Sequence, residues 1–71
     1  MEEIQITTDF IKLDQFLKLS GVAQTGGMAK ELISQGLVKV NGSVALERGK
    51  KLRNNDKVEV DEEYSFIIVK A

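Results

Sequence analysis

The spacing of apolar residues changes at Gly36, and this change constrains the fold more than any other feature of the sequence. Before it, two stripes repeat at helical spacing: Leu13, Phe16 and Leu17, then Met28, Ala29, Leu32 and Ile33. We therefore predict one helix from Lys12 to about Ser20-Gly21. A second helix is predicted to begin after the N-cap Thr25 and to stop at Gln35-Gly36.

The segments that flank the helical pair show the alternation of β-strands. The predicted strands cover residues 3–7, a hairpin within 37–44, 57–60 and 64–69, with a polar loop over 47–51 and turns over 54–56 and 61–63. Asn41-Gly42 favours the hairpin because both positions tolerate a positive φ. The predicted fold class is α+β, with two short helices packed on a small, mainly antiparallel sheet.

The composition excludes several classes of function. A chain of 71 residues has room for one domain, which we predict to span 1–71. It contains no cysteine and no histidine, so the common metal ligands and the commonest general base are missing. No apolar run is long enough for a membrane span, and no signal-peptide pattern opens the chain. We expect a cytoplasmic protein that is not an enzyme and that uses no cofactor and no metal.

The net charge of −1 hides an uneven distribution. Residues 10–57 hold nine basic and four acidic residues, a balance of +5, whereas the two ends together hold one basic and seven acidic residues, a balance of −6. The final strand is expected to lie beside the N-terminal strand, which would bring the acidic ends together. The middle of the chain could then attract an anion while the whole protein stays weakly acidic.

The start of the second predicted helix is the first candidate binding segment. Free backbone N–H groups at Gly26 and Gly27, next to Gln24 and Thr25, would make a seat for a phosphate, and Lys30 lies one turn further on. Thr25 could instead serve only as a helix cap. Two glycines in a helical first turn cost about 1 kcal/mol each relative to alanine, which favours a functional reason for them.

Two further candidates lie in the second half of the chain. Lys39 faces away from Val38 and Val40, and could be an ordinary solvated lysine or part of a binding face. The neighbouring Asn41 belongs to the hairpin turn. Four basic residues fall within six positions of the chain and suggest a surface that neutralises phosphates, namely Arg48, Lys50, Lys51 and Arg53. The acidic run over 61–63 lacks the spaced ligands of a calcium loop and is interpreted as a solvated turn.

The residues from Lys12 onward resemble the S-four RNA-binding domain, also called the αL module. The matching positions are Lys12-Leu13-Asp14, Ala29, Leu32-Ile33, Gly36, the run 38–42 and the closing segment 55–60. The resemblance covers a motif core of residues 12–60. Within the family, the sequence looks most like the stand-alone bacterial subfamily of the YaaA/YbcJ type. Gly26 stands where the family often has arginine, so a backbone contact would replace a side-chain contact there.

The resemblance implies binding of structured RNA, with ribosomal RNA the expected partner, and no small-molecule substrate or membrane. The predicted RNA-binding residues are Lys12, Gln24, Thr25, Gly26, Gly27, Lys30, Lys39, Asn41, Arg48, Lys50, Lys51 and Arg53. Two alternatives stay open. The helical pair could be a DNA-binding helix–turn–helix, or the acidic ends or a sheet edge could make the protein an interaction adaptor on the ribosome.

Overall fold

The computed structural model describes all residues from Met1 to Ala71 and contains two helices and seven strands. The helices are α1 (Leu13–Leu19) and α2 (Gly26–Ser34). The strands are β1 (Glu2–Ile6), β2 (Ile11–Lys12), β3 (Val38–Val40), β4 (Ser43–Val44), β5 (Lys51–Leu52), β6 (Lys57–Val60) and β7 (Tyr64–Lys70). Neither helix is long and apolar enough to cross a lipid bilayer.

Five strands form one sheet in the order β1-β7-β6-β3-β4, and β2 pairs with β5 in a separate two-stranded ribbon. Every strand pair is antiparallel except β1 with β7, which run parallel. The predicted fold class is confirmed, and so is the expectation that the last strand lies beside the first. Parallel strands need a long connection, and here both helices and the strands β2 to β6 lie between β1 and β7 in the chain.

Local sequence signals set the ends of these elements as predicted. Thr25 caps α2, since its Oγ1 accepts a hydrogen bond of 3.1 Å from the Met28 N–H. Gly36 follows α2 with a φ of +75°, the left-handed conformation that ends many helices. The hairpin between β3 and β4 turns at Asn41 and Gly42, where φ is 52° and 86°.

The core lies between the helices and one face of the sheet. Phe16 of α1 and Phe66 of β7 meet edge to face at its centre, with ring centroids 5.5 Å apart. The other fully buried side chains surround this pair, and the largest of them are Leu13, Leu17, Ile33, Leu52, Ile68, Val38, Val58 and Val60. No charged or polar residue is buried, so desolvated charge plays no part in holding this small domain together.

The expected polar loop over 47–51 is wrong at its last residue. Lys51 belongs to β5 and pairs with Lys12 of β2, so the segment ends in a strand. Two-residue strands are too short to show alternation, and this is why the spacing of apolar residues did not predict the ribbon. The consequence is that two basic segments, forty residues apart in the sequence, lie side by side.

Acidic and basic residues gather at opposite ends of the sheet. The starts of β1 and β7 and the end of β6 meet at one end, which carries Glu2 and the turn 61–63. The other end is tied to the turn before β6, since the Asn55 N–H donates to the Ile68 carbonyl and the Lys70 N–H donates to Asn54 Oδ1. The length of β7, about 20 Å, separates the two ends.

Two neighbouring isoleucines on β7 test which face of the sheet carries the stability. Ile68 is fully buried against the helices, and Ile67 is half-buried on the outer face. Ile68→Val should lower the free energy of unfolding by roughly 1 kcal/mol, because it leaves a methyl-sized gap in the core. Ile67→Val is the matched control and should cost less in urea unfolding followed by circular dichroism. Equal losses would contradict the assignment of the inner face.

Candidate nucleic-acid interface

The β2–β5 ribbon carries basic side chains on its outer face. Ile11 is paired with Leu52 and Lys12 with Lys51 in an antiparallel register. Leu52 is fully buried in the core, so the alternate residues of both strands point away from it. Lys12 and Lys51 are therefore exposed cross-strand neighbours. Paired side chains of this kind lie about 5 Å apart at Cβ, which concentrates positive charge on a small surface.

Phe10 lies beneath two of these cations. The Lys51 Nζ is 4.7 Å and the Arg53 Cζ is 5.7 Å from the centroid of its ring. Such cation–π contacts contribute about 0.5–1 kcal/mol at exposed sites. They also hold the two side chains against one aromatic face. We name the set formed by Phe10, Lys12, Lys51 and Arg53 the basic ribbon.

The loop before β5 is held by the first residues of α1. Lys12, at the N-cap position, makes no capping hydrogen bond with its side chain. The Leu13 N–H donates instead to the Lys50 carbonyl at 2.8 Å, and the Asp14 N–H donates to the Arg48 carbonyl at 3.1 Å. The helix start thus uses carbonyls of the basic loop as its cap. The loop backbone is fixed while the side chains of Arg48 and Lys50 stay exposed.

The turn that follows the ribbon is held by side-chain hydrogen bonds. Asp56 Oδ2 accepts from the Arg53 N–H at 2.7 Å, and Asp56 Oδ1 accepts from Asn41 Nδ2 at 3.0 Å. Asn41 Oδ1 accepts in turn from the Lys57 N–H at 2.9 Å. The amide of Asn41 is therefore engaged at both ends within the chain. Its contacts are structural, and its predicted part in RNA binding stays a prediction.

Lys39 lies apart from the basic ribbon. It projects from the outer face of the sheet, as predicted from the burial of Val38 and Val40, and its cross-strand partner on β6 is Glu59. It also borders a shallow depression with Asp61 and Glu62, at the acidic end of the sheet. The structure places Lys39 on the five-stranded sheet, whereas Lys12 and Lys51 lie on the separate two-stranded ribbon. The predicted part of Lys39 in RNA binding stays a prediction.

The start of α2 is exposed and uncrowded. A Cβ atom built on Gly26 would meet nothing within 4 Å, and one on Gly27 would meet only Thr25 Oγ1 at 3.8 Å. Packing within the chain therefore does not require glycine at either position. Gln24 is exposed beside them.

Lys30 leaves α2 on the side opposite Leu32. The two residues are 200° apart around the helix at 100° per residue. Lys30 borders a shallow polar surface with Gly27, Glu31 and Ser34, whereas Leu32 lies near Asp61 and Glu63 at the acidic end of the sheet. Lys30 is thus turned away from the acidic end of the sheet.

One salt bridge ties the segment before the ribbon to the end of β7. The Lys70 Nζ lies 2.7 Å from Asp9 Oδ1. The hydrogen bond from Lys70 holds the pKa of Asp9 below its ordinary value, and the charges of Lys70 and Arg53 act in the same direction. Both side chains are exposed, so this bridge positions the segment more than it stabilises the fold.

Ten of the twelve site residues predicted from the sequence lie at two places. Lys12, Lys51 and Arg53 converge on the basic ribbon with Arg48 and Lys50 in the adjoining loop; Gln24, Thr25, Gly26, Gly27 and Lys30 lie at the start of α2; Lys39 and Asn41 lie elsewhere. Phe10 was not among the predicted site residues. The only feature of the sequence that could have pointed to Phe10 is its position two residues before Lys12, which places both residues on the same face of an extended segment.

A family model described as an S4 domain matches residues 4–69, nearly the whole chain. The chain therefore belongs to the S4 domain family. This finding confirms the resemblance drawn from Lys12 to Val60 and extends it into the first and last strands, which the sequence motifs did not cover.

Two curated relatives carry names connected with the ribosome. The probable ribosome maturation protein RlbA of Bacillus subtilis is 47% identical over 66 residues, which are 93% of each chain. The RQC P-site tRNA stabilizing factor of Streptococcus pneumoniae is 35% identical over 61 residues, which are 86% of this chain and 68% of that protein.

Two solved structures share the fold. YbcJ from E. coli, whose structure reveals an αL motif involved in RNA binding, superimposes with a TM-score of 0.74 and 28% identity, covering 97% of this chain and 87% of YbcJ. The 30S ribosomal protein S4e from Thermoplasma acidophilum superimposes with a TM-score of 0.62 and 25% identity. The match covers 83% of this chain but only 31% of S4e, so it concerns one domain of a larger protein.

The Asp9–Lys70 bridge predicts a specific pH dependence. A carboxyl group whose pKa is lower in the folded state adds stability above its unfolded pKa, near 3.9, and this stability is lost as the pH falls through the folded value. In an NMR titration, Lys70→Met should raise the pKa of Asp9 toward its ordinary value of 3.8. The stability difference between the two proteins should shrink below about pH 4. An unchanged Asp9 titration in the variant would contradict the bridge.

Proposed function

We propose that this protein binds structured RNA of the ribosome, without catalysis, and that the basic ribbon is the centre of the contact. The observation that carries the proposal is the convergence of Lys12, Lys51 and Arg53 around Phe10. None of the three cations forms a salt bridge within the chain. Their charge is therefore available to phosphate groups, which is the main source of affinity for nucleic acids.

The chemistry of the ribbon suits a phosphate backbone better than a base edge. Arginine offers a planar fork of donors that fits a phosphate, and lysine offers a compact charge. Because Phe10 restrains Lys51 and Arg53, less side-chain entropy is lost when they bind. The major groove of A-form RNA is too narrow for side chains to read, so we propose recognition of shape more than of sequence.

The start of α2 supplies a second proposed contact. Its first N–H groups have no partner within the helix, and the helix dipole adds partial positive charge at the same place. Gly26 and Gly27 leave these groups open, and Lys30 borders the same polar surface as Gly27. We propose that the backbone N–H groups of Gln24–Gly27 donate hydrogen bonds to a phosphate. A larger side chain at Gly26 or Gly27 would block this contact.

The names of the relatives support the choice of a ribosomal partner. One is a probable ribosome maturation protein, one stabilises a tRNA in the P site, and one is a 30S ribosomal protein. Their common element is RNA held within the ribosome. Which ribosomal RNA this chain binds is best found by crosslinking in cells and sequencing of the attached RNA.

Binding to structured RNA should depend steeply on salt. If about six phosphates are neutralised, log K should fall against log salt with a slope of roughly −4. Exchanging Lys12, Lys51 and Arg53 together for Gln should reduce the steepness of that slope by about two and weaken binding at low salt about a hundredfold or more. Fluorescence anisotropy over a salt series measures both quantities.

Lys39→Gln is the matched control for Lys51→Gln, since each removes one lysine charge from the outer face of a strand. The control should change the slope less, because Lys39 lies beside Glu59 on the outer face of the sheet. Competition at equal salt should favour structured RNA over duplex DNA. A flat salt response, or equal competition by DNA, would overturn the proposal.

Alanine at Gly26 and Gly27 should separate stability from binding. Gly26→Ala with Gly27→Ala should raise the free energy of unfolding by about 1 kcal/mol, because glycine is the poorer helix former and both sites have room for a Cβ. The same variant should bind structured RNA more weakly, since two methyl groups would cover the amides. A variant that is more stable and binds equally well would remove α2 from the interface.

A further inference from the structure

The end of the molecule opposite the basic ribbon carries an open groove with an apolar floor. It lies between α2, the segment that joins the helices, and the turn from β6 to β7. Its apolar side chains are Val22, Met28, Leu32, Val60 and Tyr64. Met28 and Tyr64 are each 45% exposed, and Val22 and Leu32 are half-buried. Apolar side chains grouped in this way indicate a surface that another molecule can cover, whereas single exposed ones do not.

Tyr64 shows why this groove is left open. It lies on the same face of β7 as Phe66 and Ile68, which α1 and α2 cover. Its position at the start of the strand places it at the edge of that cover, so Tyr64 remains exposed to water whereas Phe66 and Ile68 are buried. A second shallow groove begins on its other side, shared with Val22 and bordered by Glu2.

The rim of the groove is acidic. Glu31, Asp61 and Glu63 line it, and no lysine or arginine does. None of the three forms a salt bridge; Glu31 only accepts a hydrogen bond of 3.2 Å from Gln35 Nε2. Lys39 lies on the far side of Asp61, in the depression that it shares with Glu59 and Glu62. Lys30 shares a polar surface with Glu31 outside the groove. Neither lysine forms a salt bridge with the rim, so the negative charge of the rim stays available to a partner.

We propose that this groove, named here the acidic groove, binds a lysine- or arginine-rich amphipathic segment of another protein. The apolar side chains of such a segment would cover Met28, Leu32 and Tyr64, and its cations would meet the three carboxylates of the rim. The flexible thioether of Met28 adapts to different apolar partners. Nucleic acid does not fit this site, because its phosphates would be repelled by Glu31, Asp61 and Glu63.

The basic ribbon and the acidic groove are separate sites. The length of β7 keeps them about 20 Å apart, more than two Debye lengths at physiological salt. One molecule can therefore hold RNA at one end and a basic protein segment at the other. The docking does not depend on the RNA proposal, and each can fail without the other.

The test uses the full chain labelled with ¹⁵N and a helix-forming peptide of leucine and lysine as the probe. Titration should move the amide signals of Val22, Met28, Leu32 and Tyr64, and should leave those of Lys12 and Lys51 in place. The double exchange Glu31→Lys with Glu63→Lys should weaken peptide binding about tenfold or more, since it removes two rim charges and adds two of the wrong sign.

The matched control is Glu3→Lys with Glu59→Lys, which makes the same change in net charge at exposed positions outside the groove and away from the basic ribbon. It should bind the peptide much as the native protein does. Met28→Gln should also weaken binding while it leaves the rim charges intact. Both double variants should bind structured RNA equally, which separates this test from the RNA proposal.

Three outcomes would overturn the docking proposal. The first is no shift of the groove amides at any peptide concentration, and the second is an equal loss of binding in the control. The third is concentration-dependent shifts of both the groove and the ribbon without peptide, which would make a second copy of this chain the occupant.

Discussion

The start of α1 is the constraint on which both the fold and the candidate site depend. Its first N–H groups need acceptors, and the side chain of Lys12 supplies no cap. Asp14 Oδ1 accepts from the Gln15 N–H, which leaves the N–H groups of Leu13 and Asp14 to find acceptors elsewhere. The carbonyls of Arg48 and Lys50 accept these hydrogen bonds and thereby hold a loop from the other half of the chain. The same loop carries the cations of the interface. The hydrogen bonds that satisfy the start of α1 therefore also hold the charged surface in place.

Much of the fold could be predicted from the sequence because strong local signals agree with the long-range packing. Thr25 caps α2, Asn41-Gly42 turns the hairpin, and Gly36 ends the second helix, each with the backbone geometry that its residue type favours. Phe16 belongs to a stripe of apolar residues at helical spacing, and this stripe is buried in the core, where Phe16 packs edge to face on Phe66. At these positions, the conformational preference of one short segment was sufficient to predict the structure.

The candidate site was harder to predict, since it depends on a contact between distant segments. Neither β2 nor β5 has more than two residues, and only their pairing shows that Lys12 lies opposite Lys51. Phe10 acquires its place beneath Lys51 and Arg53 from the same pairing. Alternation along β3 correctly placed Lys39 on the solvent side, but it could not tell which end of the molecule that surface adjoins. Which charged residues lie side by side is therefore decided by the pairing of distant strands and not by the local sequence.

The separation of charge along β7 has a consequence for how the protein meets a polyanion. A nearly neutral molecule with opposite poles feels little net pull, but the field of a phosphate backbone exerts a torque on it. The protein would rotate before contact, with the pole that holds Arg53 leading and the pole that holds Glu63 trailing. Collisions in the wrong orientation would thus become rarer although the overall attraction stays weak. Ionic strength would then govern the orientation of the protein on approach as well as the rate of association.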